Sequence, residues 1–73
     1  MVRPTKVTNT IRSVREAAGM TQAEVARRVG VTRQTLIAIE QGRYSPTLEL
    51  AFQLARAFDA RLDDLFHYPD TED

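Results

Sequence analysis

The sequence predicts an all-α domain of five short helices, and three observations carry that prediction. Apolar residues recur at i, i+3 and i+4 in separate short blocks, which is the spacing of one helix face. The blocks open near threonines, good caps for a helix start. Three of them close at Gly19, Gly30 and Gly42, where a glycine accepts the left-handed backbone that ends a helix cheaply. The chain has 73 residues, enough for one small domain, and no cysteine to supply a disulfide or a cysteine metal site. A domain of this size buries only about 60–65% of its unfolded surface, so dimerisation would stabilise it.

The elements follow in order. Residues 1–8 lack helical periodicity and Pro4 holds the backbone extended around it, so they read as an arm, with Lys6 to Thr8 able to form a short strand. The first helix is expected from residue 9 or 10 to residue 18. Ile11, Val14 and Ala18 would form its buried stripe, helped by Met20 after the stop at Gly19. The second helix begins at Thr21, with Glu24 three residues on in capping-box spacing. Val25, Ala26 and Val29 face inward, and Gly30 ends the helix. Thr32 caps the third helix only two residues later, and that helix runs to residue 40 or 41. Two helices joined by so short a turn form a helix-turn-helix, here residues 21–42.

The third helix carries the functional information. At about 100° per residue, Arg33, Gln34, Ile37, Ala38 and Gln41 share one face, and Leu36 and Ile39 share the opposite one. Arg and Gln can pair bidentately with guanine and adenine edges in the major groove, and Ile37 or Ala38 can touch a thymine methyl. Both polar types also suit any solvated helix surface. A bare β-branched Ile37 among them helps neither solubility nor helix propensity, which favours contact with a partner.

The fourth helix is expected over residues 48–58, capped by Thr47 or Ser45 after the Pro46 turn. Leu48, Ala51, Leu54, Ala55 and Phe58 form its stripe, and Leu50 and Phe52 widen the apolar arc as in a helix enclosed on several sides. The pair Asp59 and Ala60 breaks it. Asp63 and Asp64 then favour the first turn of a short fifth helix; helix-dipole complementation explains them better than metal binding, because no partner ligand accompanies them. Leu62, Leu65 and Phe66 are more apolar surface than a short helix needs to dock, so they are candidates for a dimer seam together with Ser45 and Pro46. Residues 67–73 form an acidic tail, whose start overlaps the aromatic run Phe66, His67, Tyr68.

The segment TQAEVARRVGVTRQTLIAIEQG, continued by YSPTLELAFQLARAF and LDDLF, resembles the Cro/C1-type (XRE-like) helix-turn-helix regulators over residues 9 to 66. The likeness is strongest to the small stand-alone members of that family, cytolysin repressors among them. The resemblance implies a five-helix, lambda-repressor-like DNA-binding domain, and a small two-stranded antiparallel sheet joining the termini. It implies a structural ion pair between Arg15 and Glu40 that locks the first helix to the third. It also implies backbone contacts from Gln22, Thr32, Arg43 and Tyr44, with base reading by Arg33, Gln34, Ile37, Ala38 and Gln41. Arg61 stands where family members have Ser or Thr, a weaker cap.

Net charge is zero, yet its distribution is uneven. Up to Arg43 there are eight basic residues against three acidic ones, net +5; from Tyr44 onward two basic residues face seven acidic ones, net −5. The basic half contains the helix-turn-helix and offers a footprint for phosphates. Arg27 and Arg28 suit the dipole at the end of the second helix, and a solubilising role explains them better than DNA contact. One histidine, no cysteine and no glycine-rich phosphate loop leave no catalytic set, and no cofactor, metal or small-molecule site is evident. Without a signal peptide or an apolar run near 18 residues, a cytoplasmic location is expected, with no membrane partner. The leading reading is a sequence-specific regulator of double-stranded DNA, acting as a homodimeric repressor on an inverted repeat. An antitoxin-type interaction module that also binds DNA is the alternative, and a helix-turn-helix retained only for oligomerisation is a third.

Overall fold

Threonine caps open three of the five helices in the computed structural model, which describes residues 5–43 and 45–69. The order is β1 (Thr8–Asn9), α1 (Ile11–Ala17), α2 (Gln22–Val29), α3 (Arg33–Glu40), α4 (Leu48–Phe58), α5 (Leu62–Leu65) and β2 (Phe66–His67). The hydroxyls of Thr21, Thr32 and Thr47 accept the N–H groups of Glu24, Thr35 and Leu50, satisfying donors that a helix start otherwise leaves free. Gly30 ends α2 at φ 78°. Asp59 takes the same left-handed conformation after α4 at φ 52°, a position where short polar side chains are tolerated best after glycine.

Thr21 and Glu24 form a complete capping box. The Glu24 carboxylate accepts the Thr21 N–H at 2.7 Å while Glu24 N–H donates to the Thr21 hydroxyl at 3.0 Å. The backbone N–H of Thr21, then its hydroxyl, hold the carboxyl below its ordinary 4.5, with smaller help from Arg27 and Arg28. Because the folded value lies below the unfolded one, the stabilisation is present above the ordinary value and is lost as pH falls through the folded value. Glu24→Gln keeps an acceptor but cannot titrate. Its melting temperature should therefore fall less steeply than that of the parent chain below pH 4.5, as followed by circular dichroism.

The core draws on all five helices. Ile11, Val25, Ala26, Val29, Leu36, Ile39, Leu54, Ala55 and Leu65 form one buried cluster, with Val14, Met20, Val31, Leu50, Phe58 and Phe66 packed around it. Each fully buried Val, Leu or Ile stabilises the fold by about 1.5–3 kcal/mol. Burial of this kind holds helices of four to eleven residues that would not persist alone.

The termini pair. Thr8 lies opposite His67 and Asn9 opposite Phe66 in an antiparallel sheet, which overlaps the strand expected at Lys6 to Thr8 only at Thr8. Asn9 therefore belongs to β1, and α1 starts at Ile11. Thr10 anchors the same junction, its N–H donating to the Leu65 carbonyl at 2.9 Å and its hydroxyl to the Asp64 carbonyl at 2.8 Å.

Several expected burials are corrected. Ala18 is exposed, because α1 ends at Ala17 and the chain turns toward Gly19 before position 18 can face the core. Leu48 and Phe52 are 67% and 50% exposed, so α4 is not enclosed on that side. Leu65 is fully buried within its own domain, and it cannot form a seam with another copy. Leu62 and Phe66 are half-buried. The acidic tail and the start of the arm lie outside the described residues apart from residues 5–8 and 67–69.

Candidate nucleic-acid interface

The outer face of α3 is set by what its back does. Leu36 and Ile39 are buried to within 1% and fix the helix rotation against the core. That rotation leaves Arg33 and Gln34 exposed in the first turn, with Gln41 exposed just past the last. Ile37 and Ala38 are half-buried rather than bare. Ile37 lines an open groove with Arg12, Met20, Gln22, Arg33 and Gln41, where the start of α2 and the outer face of α3 meet beside the end of α1.

The floor of this groove is ionic. Arg15 Nε donates to Glu40 Oε2 at 2.7 Å and its Nη2 reaches Glu40 Oε1 at 3.4 Å, while Nη1 donates to the Met20 carbonyl at 3.0 Å. The two side chains are only 10% and 4% exposed. The pair ties α1 to the last turn of α3, and it also holds the α1–α2 connection through Met20. Gln22, the first residue of α2, adds a third partner, its Nε2 donating to Glu40 Oε1 at 3.2 Å. Its side-chain amide is thus partly committed to the protein, and one of its two N–H groups remains for an outside acceptor.

The positions beside α3 are less constrained. The Thr32 hydroxyl caps α3 and lies 3.0 Å from the Thr35 hydroxyl. Arg43 Nε donates to Gln41 Oε1 at 3.0 Å, so these two side chains act together at the exit of α3. Ser45 is exposed and its hydroxyl lies 2.6 Å from that of Thr5, while Pro46 is half-buried. Tyr44 lies outside the described residues. Arg28 leans away from the groove, its Nη1 donating at 3.4 Å to the Ala57 carbonyl at the end of α4, a structural role suited to a helix C-terminus.

Asn9 is the residue that sequence reasoning missed. Its Oδ1 accepts the Ile11 N–H at 3.1 Å and its Nδ2 donates to the Ile39 carbonyl at 2.8 Å. One side chain therefore takes up the first N–H of α1 in an Asx-type turn and fastens the last turn of α3 to the terminal sheet. An Asx turn has a local signature, but a bond to a carbonyl 30 residues away has none. Asn9→Ala should cost about 1–2 kcal/mol in chemical denaturation. Asn9→Asp keeps the acceptor for Ile11 but sets a carboxylate oxygen against the Ile39 carbonyl, so it should be no more stable than Asn9→Ala.

Comparison with known proteins agrees with this geometry. A helix-turn-helix family model matches residues 11–65, from the start of α1 to the end of α5. The chain belongs to the Cro/C1-type helix-turn-helix family. It is 50% identical over 62 residues to an uncharacterized HTH-type transcriptional regulator of Archaeoglobus fulgidus, covering 85% of this chain and 89% of that one. It is 56% identical over 57 residues to another from Methanothermobacter thermautotrophicus, covering 77% and 83%. Among solved structures, the clp gene regulator ClgR of Corynebacterium glutamicum superposes with a TM-score of 0.71 at 31% identity, covering 74% of this chain and 57% of that one. The restriction-modification controller protein C.AhdI of Aeromonas hydrophila superposes with a TM-score of 0.70 at 28% identity, covering 74% and 82%. The fold is that of these regulators, and the chain is a transcriptional regulator with a helix-turn-helix DNA-binding domain, not an enzyme. Among the described residues no helix is long and apolar enough to cross a membrane, and no group of three or more His, Cys, Asp or Glu could hold a metal ion.

Proposed function

We propose that the chain is a sequence-specific repressor that binds double-stranded DNA as a homodimer on an inverted-repeat operator in the cytoplasm. The observation that carries this reading is the first turn of α3. Arg33 and Gln34 stand exposed there, on a helix whose rotation is fixed by buried Leu36 and Ile39 and by the Arg15–Glu40 pair. Rigid presentation matters because bidentate hydrogen bonds to base edges require the donor plane to be held in place before contact.

In this reading α3 enters the major groove. Arg33 pairs with a guanine and Gln34 with an adenine, while the half-buried Ile37 and Ala38 shape the apolar contact to thymine methyl groups. Gln41 reads or excludes a base at the edge of the site. Its bond to Arg43 couples that choice to the flanking phosphate. The free N–H of the Gln22 amide and the backbone N–H groups at the start of α2 hold a second phosphate, favoured by the helix dipole, and the Thr32 hydroxyl a third. Tyr44, next to Arg43 in the chain, completes the backbone contacts. The +5 half of the chain supplies the long-range attraction, and the −5 half keeps the rest of the molecule away from the duplex.

Selection from a random duplex library with the purified chain, at two salt concentrations, tests the reading. The expected product is an inverted repeat whose half-sites lie about 10–10.5 base pairs apart, or a multiple of it, with affinity falling as salt rises. Enrichment of a lone half-site would overturn the dimer, and no enrichment would overturn sequence recognition.

A further inference from the structure

The outer face of α4 is apolar and bare. Leu48 and Phe52, 67% and 50% exposed, are one helical turn apart and lie within about 40° of each other around the axis. Glu49 and Arg56, both exposed, border that stripe on its outer side, while Ala51, Leu54 and Ala55 face the core. Scattered single apolar residues on a surface need no explanation, but a large aliphatic and an aromatic side chain stacked on one helix face, with a charge of each sign beside them, form an organised patch.

We propose that this face of α4 packs against the same face of a second copy of the chain, the two helices antiparallel about a two-fold axis near Phe52. This rests on the dimeric reading given above and deepens it by naming the surface. The face is self-complementary. A two-fold contact places residue i against residue j and j against i. An axis passing between positions 52 and 53 sets position 49 of one copy against position 56 of the other, twice over. Position 49 is a glutamate and position 56 an arginine, so both pairs are attractive. The same axis brings the two Phe52 rings together and lays each Leu48 along the aliphatic stem of the opposite Arg56. A parallel arrangement would set like charge against like.

The patch also explains where the seam is not. Leu65 is buried in its own core, and Leu62 and Phe66 are half-covered there, so α5 has little apolar surface left to offer.

Sedimentation equilibrium on the full chain and its variants tests the surface. Wild-type chain should be dimeric, and Phe52→Asp should sediment as a monomer with an unchanged far-ultraviolet spectrum. Glu49→Arg should weaken the dimer about tenfold by setting arginine against arginine at two places, and the double variant Glu49→Arg/Arg56→Glu should restore wild-type association. The charge variants keep the test decisive should Phe52→Asp fail to fold. A wild-type dimer that persists in folded Phe52→Asp, or a double variant no better than Glu49→Arg, would overturn this surface while leaving a dimeric regulator intact. A wild-type chain that stays monomeric both free and on DNA would overturn the dimeric reading and this surface together.

Discussion

Glu40→Ala is expected to destabilise the fold by about 3–5 kcal/mol, because it strands a buried guanidinium. Arg15 and Glu40 are 10% and 4% exposed, and without the carboxylate Arg15 keeps only the Met20 carbonyl. Domains of this kind have total stabilities of about 5–15 kcal/mol, so the loss takes up much of the reserve. Glu40→Gln should be milder, since one amide oxygen can still accept from Arg15 or Gln22. Replacing both residues with apolar ones of similar volume should recover most of the loss, as buried pairs often give little net stability over hydrophobic packing. Urea denaturation of the two single variants and the double variant checks this. A double variant no more stable than Glu40→Ala would show that the loss does not come from the stranded Arg15 charge.

Arg33→Ala is expected to lower affinity for the selected operator by about 1–3 kcal/mol and to relax preference at one base position per half-site. Stability should barely change, because Arg33 is exposed in the first turn of α3. The contrast is Arg43→Ala, which should weaken binding to all sequences alike and reduce the salt slope by about one. Fluorescence anisotropy against the selected site and its single-base variants separates them. A uniform loss from Arg33→Ala would move that residue from base reading to phosphate contact.

What the sequence made legible was local. The Thr21–Glu24 capping box, the Gly30 turn, the Thr32 cap and the bounds of α4 each depend on residues within a few positions of one another, and all stand in the structure as the spacing indicates. The family pattern, itself a statement about order and spacing, extended this to the five-helix fold and to the sheet between the termini. Contacts set by tertiary packing were harder to read. Asn9 bonds to Ile39 across 30 residues, and Gln22 turns inward to Glu40 across 18. Periodicity separated the two faces of α3 because their polarity differs. It failed for α4 and α5, where nearly every other residue is apolar. There it placed Leu48 and Phe52 inside and offered Leu65 to a partner, whereas the core has room for Leu65 and not for the other two. A four-residue helix has too few positions to define a face at all.

The central claim is that the groove side of α2 and α3 is the surface that meets DNA. Titrating isotopically labelled chain with a duplex carrying the selected site, and following each backbone amide by NMR, tests that claim most directly. The account predicts the largest shifts at Gln22, Thr32, Arg33, Gln34 and Arg43, with α1 and the core-facing side of α4 little changed. Shifts confined to α4 and α5, with Arg33 and Gln34 unmoved, would contradict it.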